Sequence, residues 1–223
     1  MPQRTTENLS VGADRDRPSG GATHRPQHVC AFFNSVDEQH RVLRSFIADG
    51  FQQQEKAFHL IDPTRRDEHL GWLAGAGVDV PDAMAAGQLE VRSWHEGQLR
   101  GEHFDQEAWM TSFEDALRSG PANGYERTRF LAHMEWALVD LPGVEDLIEF
   151  ESRVNHVIVN DDVVICAYDL AKFGASVVID ALRTHPLVIV GGLLQENPFF
   201  VPPDQFLLEL RERRSEAGST NAR

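Results

Sequence analysis

One continuous stretch, from His28 to Phe51, constrains the fold more than any other part of this chain. It begins with His-Val-Cys-Ala-Phe-Phe, a run without formal charge that predicts a strand buried on both faces of a parallel sheet. Ser35-Val-Asp-Glu38 then forms a capping box, so we expect a helix to begin there. Its apolar stripe consists of Val36, Leu43, Phe46, Ile47 and Phe51.

The turn between this strand and helix is the position at which nucleotide-binding α/β domains carry their phosphate loop. Such a loop needs glycines for close backbone approach and a lysine for charge. The turn Phe33-Asn34-Ser35-Val36-Asp37-Glu38 contains neither and adds two acids. We therefore expect a nucleotide-binding architecture without a working phosphate cradle.

The composition restricts the class of protein. The chain has 223 residues, enough for one α/β domain, and its 35 acids against 21 bases give a net charge of −14. This excess argues against a non-specific nucleic-acid surface or an anionic-membrane surface. No stretch approaches the roughly 18 apolar residues of a membrane span, and the N-terminus lacks the apolar core of a signal peptide. We expect a soluble, cytoplasmic protein.

Strands and helices alternate along the chain. Apolar or alternating runs predict strands near 56–62, 88–94, 127–133 and 163–168, with helical periodicity between them, and two short strands joined at Gly191-Gly192. This pattern predicts a three-layer α/β sandwich with a mainly parallel sheet and a small antiparallel extension near residues 187–196. We expect one domain, 27–213, between disordered tails at 1–26 and 214–223.

The carboxyl ends of the predicted strands are the expected ligand site, because open α/β sheets bind ligands there. The predicted ligand-binding residues are Asn34, Ser35, Asp62, Trp94, His133, Glu135, Trp136, Tyr168 and Asp169. Some have a second interpretation. Trp136 either stacks on a ligand or covers the core, and Asp169 either faces the pocket or caps a helix. His185, before Pro186, is interpreted as a helix C-terminal residue favoured by the dipole.

The two cysteines, Cys30 and Cys166, lie inside apolar strand-like runs, which suits reduced thiols. His28 and Cys30 alternate on one strand and share a face, and Cys166 lies on a strand expected to neighbour it. They form either a metal or haem site or plain core residues. No Cys-x-x-Cys or His-x-x-x-His spacing supports a metal. Because no hydrolase elbow or dinucleotide turn is present either, we expect a non-enzymatic protein without cofactor or metal.

The order of the segments resembles the MEDS domain (methanogen/methylotroph sensory domain), a family similar to the RecA-like, circadian-clock type of ATPases. The matching pieces run in order over about residues 27 to 210. They are His28-Val-Cys-Ala-Phe-Phe, Gly87-Gln-Leu-Glu-Val, Glu135-Trp-Ala-Leu, Asp140-Leu-Pro-Gly143, Glu149-Phe-Glu151, Cys166-Ala-Tyr-Asp169, Arg183-Thr-His-Pro186 and Glu196-Asn-Pro-Phe-Phe-Val-Pro-Pro203.

The resemblance implies a RecA-like sheet with a degenerate phosphate loop and a sensory domain that detects a small organic molecule. It also implies a signal passed to a regulatory protein, such as a histidine kinase or a transcription factor. The sequence shows no kinase core and no helix-turn-helix, so we expect the output to pass through a partner or a homodimer. Two alternatives stay open. One is a degenerate nucleotide-binding ATPase-like protein, and the other is a pure protein-interaction regulator.

Overall fold

The computed structural model describes residues 27–158 and 161–221, with side chains described through residue 216. The predicted disordered segment 1–26 lies outside these residues. The strands are β1 (Gln27–Phe33), β2 (Lys56–Ile61), β3 (Leu89–Ser93), β4 (Thr128–His133), β5 (Val163–Asp169), β6 (Leu187–Val190) and β7 (Leu193–Glu196). The helices are α1 (Val36–Gln52), α2 (Arg66–Gly75), α3 (Val80–Ala85), α4 (Gln106–Ala122), α5 (Leu147–Val154), α6 (Ala175–Thr184) and α7 (Pro203–Asn221).

The strands form one sheet in the order β3-β2-β4-β5-β1-β6-β7. The pairings from β3 to β6 are parallel, and only β6 and β7 pair antiparallel. A helix lies between most parallel strands because a parallel connection must cross from one end of the sheet to the other. The predicted fold class, an α/β three-layer sandwich with a mainly parallel sheet and a small antiparallel extension, is confirmed.

The sheet separates two apolar cores. Cys30, Phe32 and Phe130 belong to the core under α4, α5 and α6, and Val29, Ala31 and Leu131 belong to the core under α1, α2 and α3. Consecutive strand residues enter different cores because strand side chains alternate between the faces. We call these the α4–α6 face and the α1–α3 face.

The turn after β1 is closed by its own side chains. Ser35 Oγ accepts a hydrogen bond from Glu38 N at 3.2 Å, as expected of a capping box. The Glu38 carboxylate accepts from Asn34 N at 2.8 Å and from Asn34 Nδ2 at 3.0 Å. These hydrogen bonds lower the pKa of Glu38. The turn therefore presents a carboxylate where a phosphate loop would present a free amide.

The last helix is longer than its sequence pattern predicts. We expected it to end near Arg213, with a disordered tail from 214, but α7 continues to Asn221. Arg214 Nη1 donates to Glu149 Oε2 at 2.7 Å, and Arg213 Nη1 donates to Asp180 Oδ1 at 3.1 Å. These ion pairs attach α7 to α5 and α6 beyond the apolar part of the helix.

None of the helices in the described ranges has the length and apolar composition of a bilayer span.

Two loops that lead into α4 and α5 cross closely at Gly143. Gly143 has φ +85°, and a Cβ atom there would overlap the carbonyl oxygen of Phe104. We expect Gly143→Ala to lower the free energy of unfolding by about 2 to 3 kcal/mol, of which roughly 1 to 2 is the left-handed backbone. Gly124→Ala is the control, because Gly124 has φ +86° but no atom within 4 Å. Equal urea-denaturation losses for the two variants would contradict the overlap.

Candidate functional site

The nine predicted ligand-binding residues all lie at the carboxyl edge of the sheet, but several form helix or turn caps. Asn34 and Ser35 close the turn before α1 with Glu38. Asp62 Oδ1 accepts from Thr64 N at 2.8 Å and from Thr64 Oγ1 at 2.6 Å. These side chains are satisfied by local backbone and hydroxyl groups, as in Asx turns.

Trp94, Trp136 and Tyr168 belong to the apolar core of the α4–α6 face. Trp136 and Tyr168 are fully buried, and the Trp136 ring lies 4.8 Å from that of Phe104. Burial raises the pKa of Tyr168 well above its ordinary value. Trp136 therefore covers the core, which was one of its two predicted interpretations.

His133 lies on the opposite, α1–α3 face. Gln39 Nε2 lies 2.9 Å from His133 Nε2, and the His69 ring lies 5.5 Å from that of His133. His69 Nε2 in turn lies 2.9 Å from His59 Nδ1. Burial lowers the pKa values of His59 and His133 to about 3 each, and lowers the pKa of His69 well below its ordinary value. We call His59, His69 and His133 the buried histidine chain.

Glu135 and Asp169 meet at a lysine that sequence reasoning left out of the site. Lys172 Nζ lies 3.3 Å from Glu135 Oε1 and 3.4 Å from Asp169 Oδ2. Asp169 Oδ1 also accepts from Ala171 N at 2.9 Å, which is a capping role. The structure thus divides the predicted residues among caps, two cores and this partly exposed ion cluster.

A cavity of about 20 Å³ lies beneath α4 and α5 on the α4–α6 face. Its apolar lining includes Trp109, Phe113, Phe130, Met134, Trp136 and Phe150. Trp136 is the member of the predicted set that reaches it. A water molecule needs roughly 10 to 15 Å³ of such space, so the cavity has room for an object of only a few atoms unless its walls move.

One wall of this cavity is polar. His28, Glu151 and Cys166 line it, and His185 lies behind them. We call these four residues the His–Glu–Cys cluster. All four side chains are buried, with exposed fractions between 0% and 4%. The four residues offer ligand atoms within 4.8 Å of one another.

Glu151 Oε2 is the centre of the His–Glu–Cys cluster. It lies 3.3 Å from His28 Nε2, 3.1 Å from His185 Nε2 and 3.4 Å from Cys166 Sγ. Burial alone would raise the pKa of Glu151, but protonated imidazoles at His185 and His28 outweigh it and lower the pKa to about 2. Burial lowers the pKa of His28 to about 4, and burial together with Glu151 raises that of Cys166.

The strand register explains why part of this cluster was foreseeable. Strands β1 and β5 pair with Cys30 opposite Cys166, which confirms the predicted neighbourhood, and His28 Nε2 lies 3.5 Å from Cys166 Sγ. Cys30 lies outside the cluster, since its Sγ contacts the carbonyl of Leu187 at 3.6 Å. Glu151 and His185 were missed as site residues. The available signal was their place in two segments of the resemblance.

Residues 27–186 match the family model described as MEDS: MEthanogen/methylotroph, DcmR Sensory domain. The chain is 22% identical over 160 residues to the transcriptional repressor DcmR of Methylorubrum extorquens, an alignment that covers 71% of this chain. The aligned part spans 57% of that relative's length.

Among solved structures, the chain is similar to the flagellar accessory protein FlaH from Methanocaldococcus jannaschii. The TM-score is 0.45 at 14% sequence identity, over 79% of this chain and 77% of that one.

Proposed function

This chain belongs to the MEDS family of sensory domains, and from that membership we propose that it is a non-enzymatic sensor of a small organic molecule. The ligand binds in the cavity beneath α4 and α5. Its binding alters the signal passed to a regulatory partner, either a histidine kinase or a DNA-binding regulator.

The cavity supports this assignment through its chemistry. Trp109, Phe113, Phe130 and Phe150 present aromatic carbon to it. Ligand sites are typically apolar pockets with a few polar groups that orient the ligand, and here the polar groups lie on one wall. Such a cavity favours a small, neutral and mainly apolar molecule. A charged ligand would lose its hydration there without gaining a free counter-ion in return. Four of the nine strand-end residues first expected to bind the ligand, Asn34, Ser35, Asp62 and Asp169, are used in caps.

Helix α5 offers a route from the cavity to the surface. Phe150, Glu151 and Val154 line the cavity, while Glu149 on the same helix pairs with Arg214 of α7. If the ligand binds more tightly to one position of α5 than to another, its binding shifts the equilibrium between these positions, and α7 shifts with α5. We propose α7 as the element through which the partner detects occupancy.

A nucleotide ligand has weaker support. The Asn34 amide, which would have to cradle a phosphate, already donates to the Glu38 carboxylate. A phosphate at this turn would meet two acids, Asp37 and Glu38, at the helix start. Binding of a nucleotide that survives every change in the cavity would revive this alternative.

Xenon is a suitable first probe of the cavity, because it is neutral, apolar and small. We expect xenon NMR to detect binding by the wild type and roughly a tenfold or greater loss of affinity in Ala132→Val, whose added methyl groups enter the cavity. Ala57→Val is the matched control, since Ala57 is an equally buried strand alanine on the α1–α3 face. Xenon binding that is absent from the wild type, or equal in both variants, would reject the cavity as the ligand site.

A further inference from the structure

We propose that the His–Glu–Cys cluster is a tetrahedral site for a divalent transition-metal cation of the Zn²⁺ class, ligated by His28 Nε2, Glu151, Cys166 Sγ and His185 Nε2. The assignment rests on hydrogen-bond roles, distances and charge, and it is independent of the proposed small-molecule sensing.

The hydrogen bonds around His28 fix which of its nitrogens carries a proton. The Asn155 amide nitrogen donates to three backbone carbonyls, of Glu151, Ser152 and Thr184, at 2.8 to 3.3 Å. Its carbonyl oxygen, Oδ1, therefore faces His28 Nδ1 at 3.3 Å and can only accept. His28 Nδ1 must carry the proton. In the neutral ring, Nε2 then presents a lone pair toward Glu151 and Cys166.

His185 has the same arrangement. Its Nδ1 lies 2.7 Å from the carbonyl oxygen of Ala181, which can only accept, so Nδ1 is the donor. Its Nε2 is buried, lies 3.1 Å from Glu151 Oε2 and has no hydrogen-bond partner among the described residues. Two imidazole lone pairs thus converge on one carboxylate oxygen. Three acceptors in contact repel one another unless a cation or an additional proton lies among them.

Four of the six ligand-to-ligand distances lie close to those of a tetrahedral metal site, and all four ligand atoms lie within 4.8 Å of one another. Bonds of about 2.0 to 2.1 Å to nitrogen and about 2.3 Å to sulfur give ligand-to-ligand edges of roughly 3.3 to 3.6 Å in a tetrahedron. Four edges are given by the structure: 3.3 Å and 3.1 Å from Glu151 to the two histidines, 3.4 Å from Glu151 to Cys166, and 3.5 Å from Cys166 to His28. The backbone and Asn155 contacts at both Nδ1 atoms are the outer hydrogen bonds that orient metal-bound histidines.

The charges also balance. Glu151 as a carboxylate and Cys166 as a thiolate carry two negative charges, which a divalent cation neutralises inside an otherwise apolar core. Binding releases the Cys166 thiol proton to solvent, while Glu151 and both Nε2 atoms contribute lone pairs. Thiolate and imidazole donors together favour Zn²⁺ over the hard cations Mg²⁺ and Ca²⁺. Because three of the four ligands also line the cavity, the ion would lie at its polar wall.

Cobalt(II) is the probe of choice, because tetrahedral Co²⁺ with a thiolate ligand absorbs strongly in the visible and adds a thiolate charge-transfer band in the near ultraviolet. The cluster is fully buried, so the full chain is unfolded in urea with chelator and refolded with Co²⁺ alone. We expect one Co²⁺ per chain with both spectral features, displaced by Zn²⁺. We also expect a higher thermal midpoint for the metal-loaded protein than for protein refolded with chelator.

Variants separate the site from adventitious binding. Cys166→Ala should lose the charge-transfer band and bind Co²⁺ at least tenfold more weakly, whereas Cys30→Ala should keep both, since Cys30 is an equally buried cysteine outside the ligand set. If Cys166→Ala fails to fold, Co²⁺ binding is measured for His185→Gln instead, because this variant removes Nε2 as a ligand. Wild-type protein that refolds without taking up Co²⁺, or a band unchanged in Cys166→Ala, would overturn the proposal. The Co²⁺ experiments contain no small-molecule ligand, so their outcome does not affect the interpretation of the xenon experiment.

Discussion

Lowering the pH from 6.5 to 4.5 should remove about 5 kcal/mol of folding free energy through two histidines of the buried histidine chain. Burial is the main cause that lowers the pKa values of His59 and His133 to about 3 in the folded protein, against about 6.5 in the unfolded chain. Below pH 6.5 the unfolded state therefore binds protons that the folded state does not. Each group contributes about 1.4 kcal/mol per pH unit until its folded pKa is reached.

The size of this effect follows from where these rings lie. His59 and His133 are almost completely buried. After burial, the largest influence on the pKa of His133 is the positive charge of Arg65, which lowers this pKa further. Stability is retained above pH 6.5 and is lost as the pH falls toward 3. A typical domain has about 5 to 15 kcal/mol in total, so acid unfolding should begin well above pH 4.

Urea denaturation at pH 7.5, 6.0 and 5.0 measures this slope. His133→Gln should reduce the slope by about 1.4 kcal/mol per pH unit, because one titrating ring is removed while a side-chain amide still faces Gln39. His156→Gln, which replaces an exposed ring, is the control. Identical slopes for wild type and His133→Gln would refute the role of the buried histidine chain.

Replacing Arg129 should cost about 3 to 5 kcal/mol, the loss expected when one partner of a buried ion pair is removed. Arg129 is 3% exposed, pairs through Nε with the equally buried Glu55, and donates from Nη1 to the Phe46 carbonyl at 2.7 Å. Arg129→Met keeps most of the apolar stem but leaves that carboxylate and that carbonyl short of a donor. Arg127, 3.0 Å from the other Glu55 oxygen, moderates the loss.

Two further variants isolate the charge effect. Arg118→Met removes an exposed arginine that pairs with Glu114 and Asp115, and should leave the free energy of unfolding nearly unchanged, because exposed ion pairs contribute little to stability. Glu55→Leu combined with Arg129→Met should be more stable than Arg129→Met alone, because no carboxylate is then buried without its partner. If the double variant is the less stable of the two, desolvation of Glu55 is not the source of the loss.

The Arg129 side chain also explains a glycine in the neighbouring helix. A Cβ atom at Gly50 would lie 2.8 Å from Arg129 Cδ, so the helix can pass over the buried guanidinium only with glycine there. The ion pair and the glycine together hold α1 against β4. This arrangement lies at the amino edge of the sheet, opposite the carboxyl edge at which ligands were first expected.

The amino-acid sequence alone determined the elements and their faces. Alternation along β1 assigned His28 and Cys30 to one face and Val29 to the other, and the capping box at Ser35 set the start of α1. These features are local: a capping hydrogen bond joins residues three or four positions apart, and strand alternation needs only the strand itself. For this reason the alternation of β1 residues between the two faces of the sheet, as predicted from the sequence, is found in the folded protein.

Only the tertiary structure decided which faces meet. Glu151 lies 123 positions from His28, and no periodicity shows that α5 packs across β1 and β5 so that this carboxylate reaches both His28 and His185. The cavity arises in the same way, from aromatic rings on α4, β4, the turn after β4 and α5 that do not fill the space between them. A residue pattern specifies which face of an element is buried, but the partner of that face follows from the packing of the whole chain.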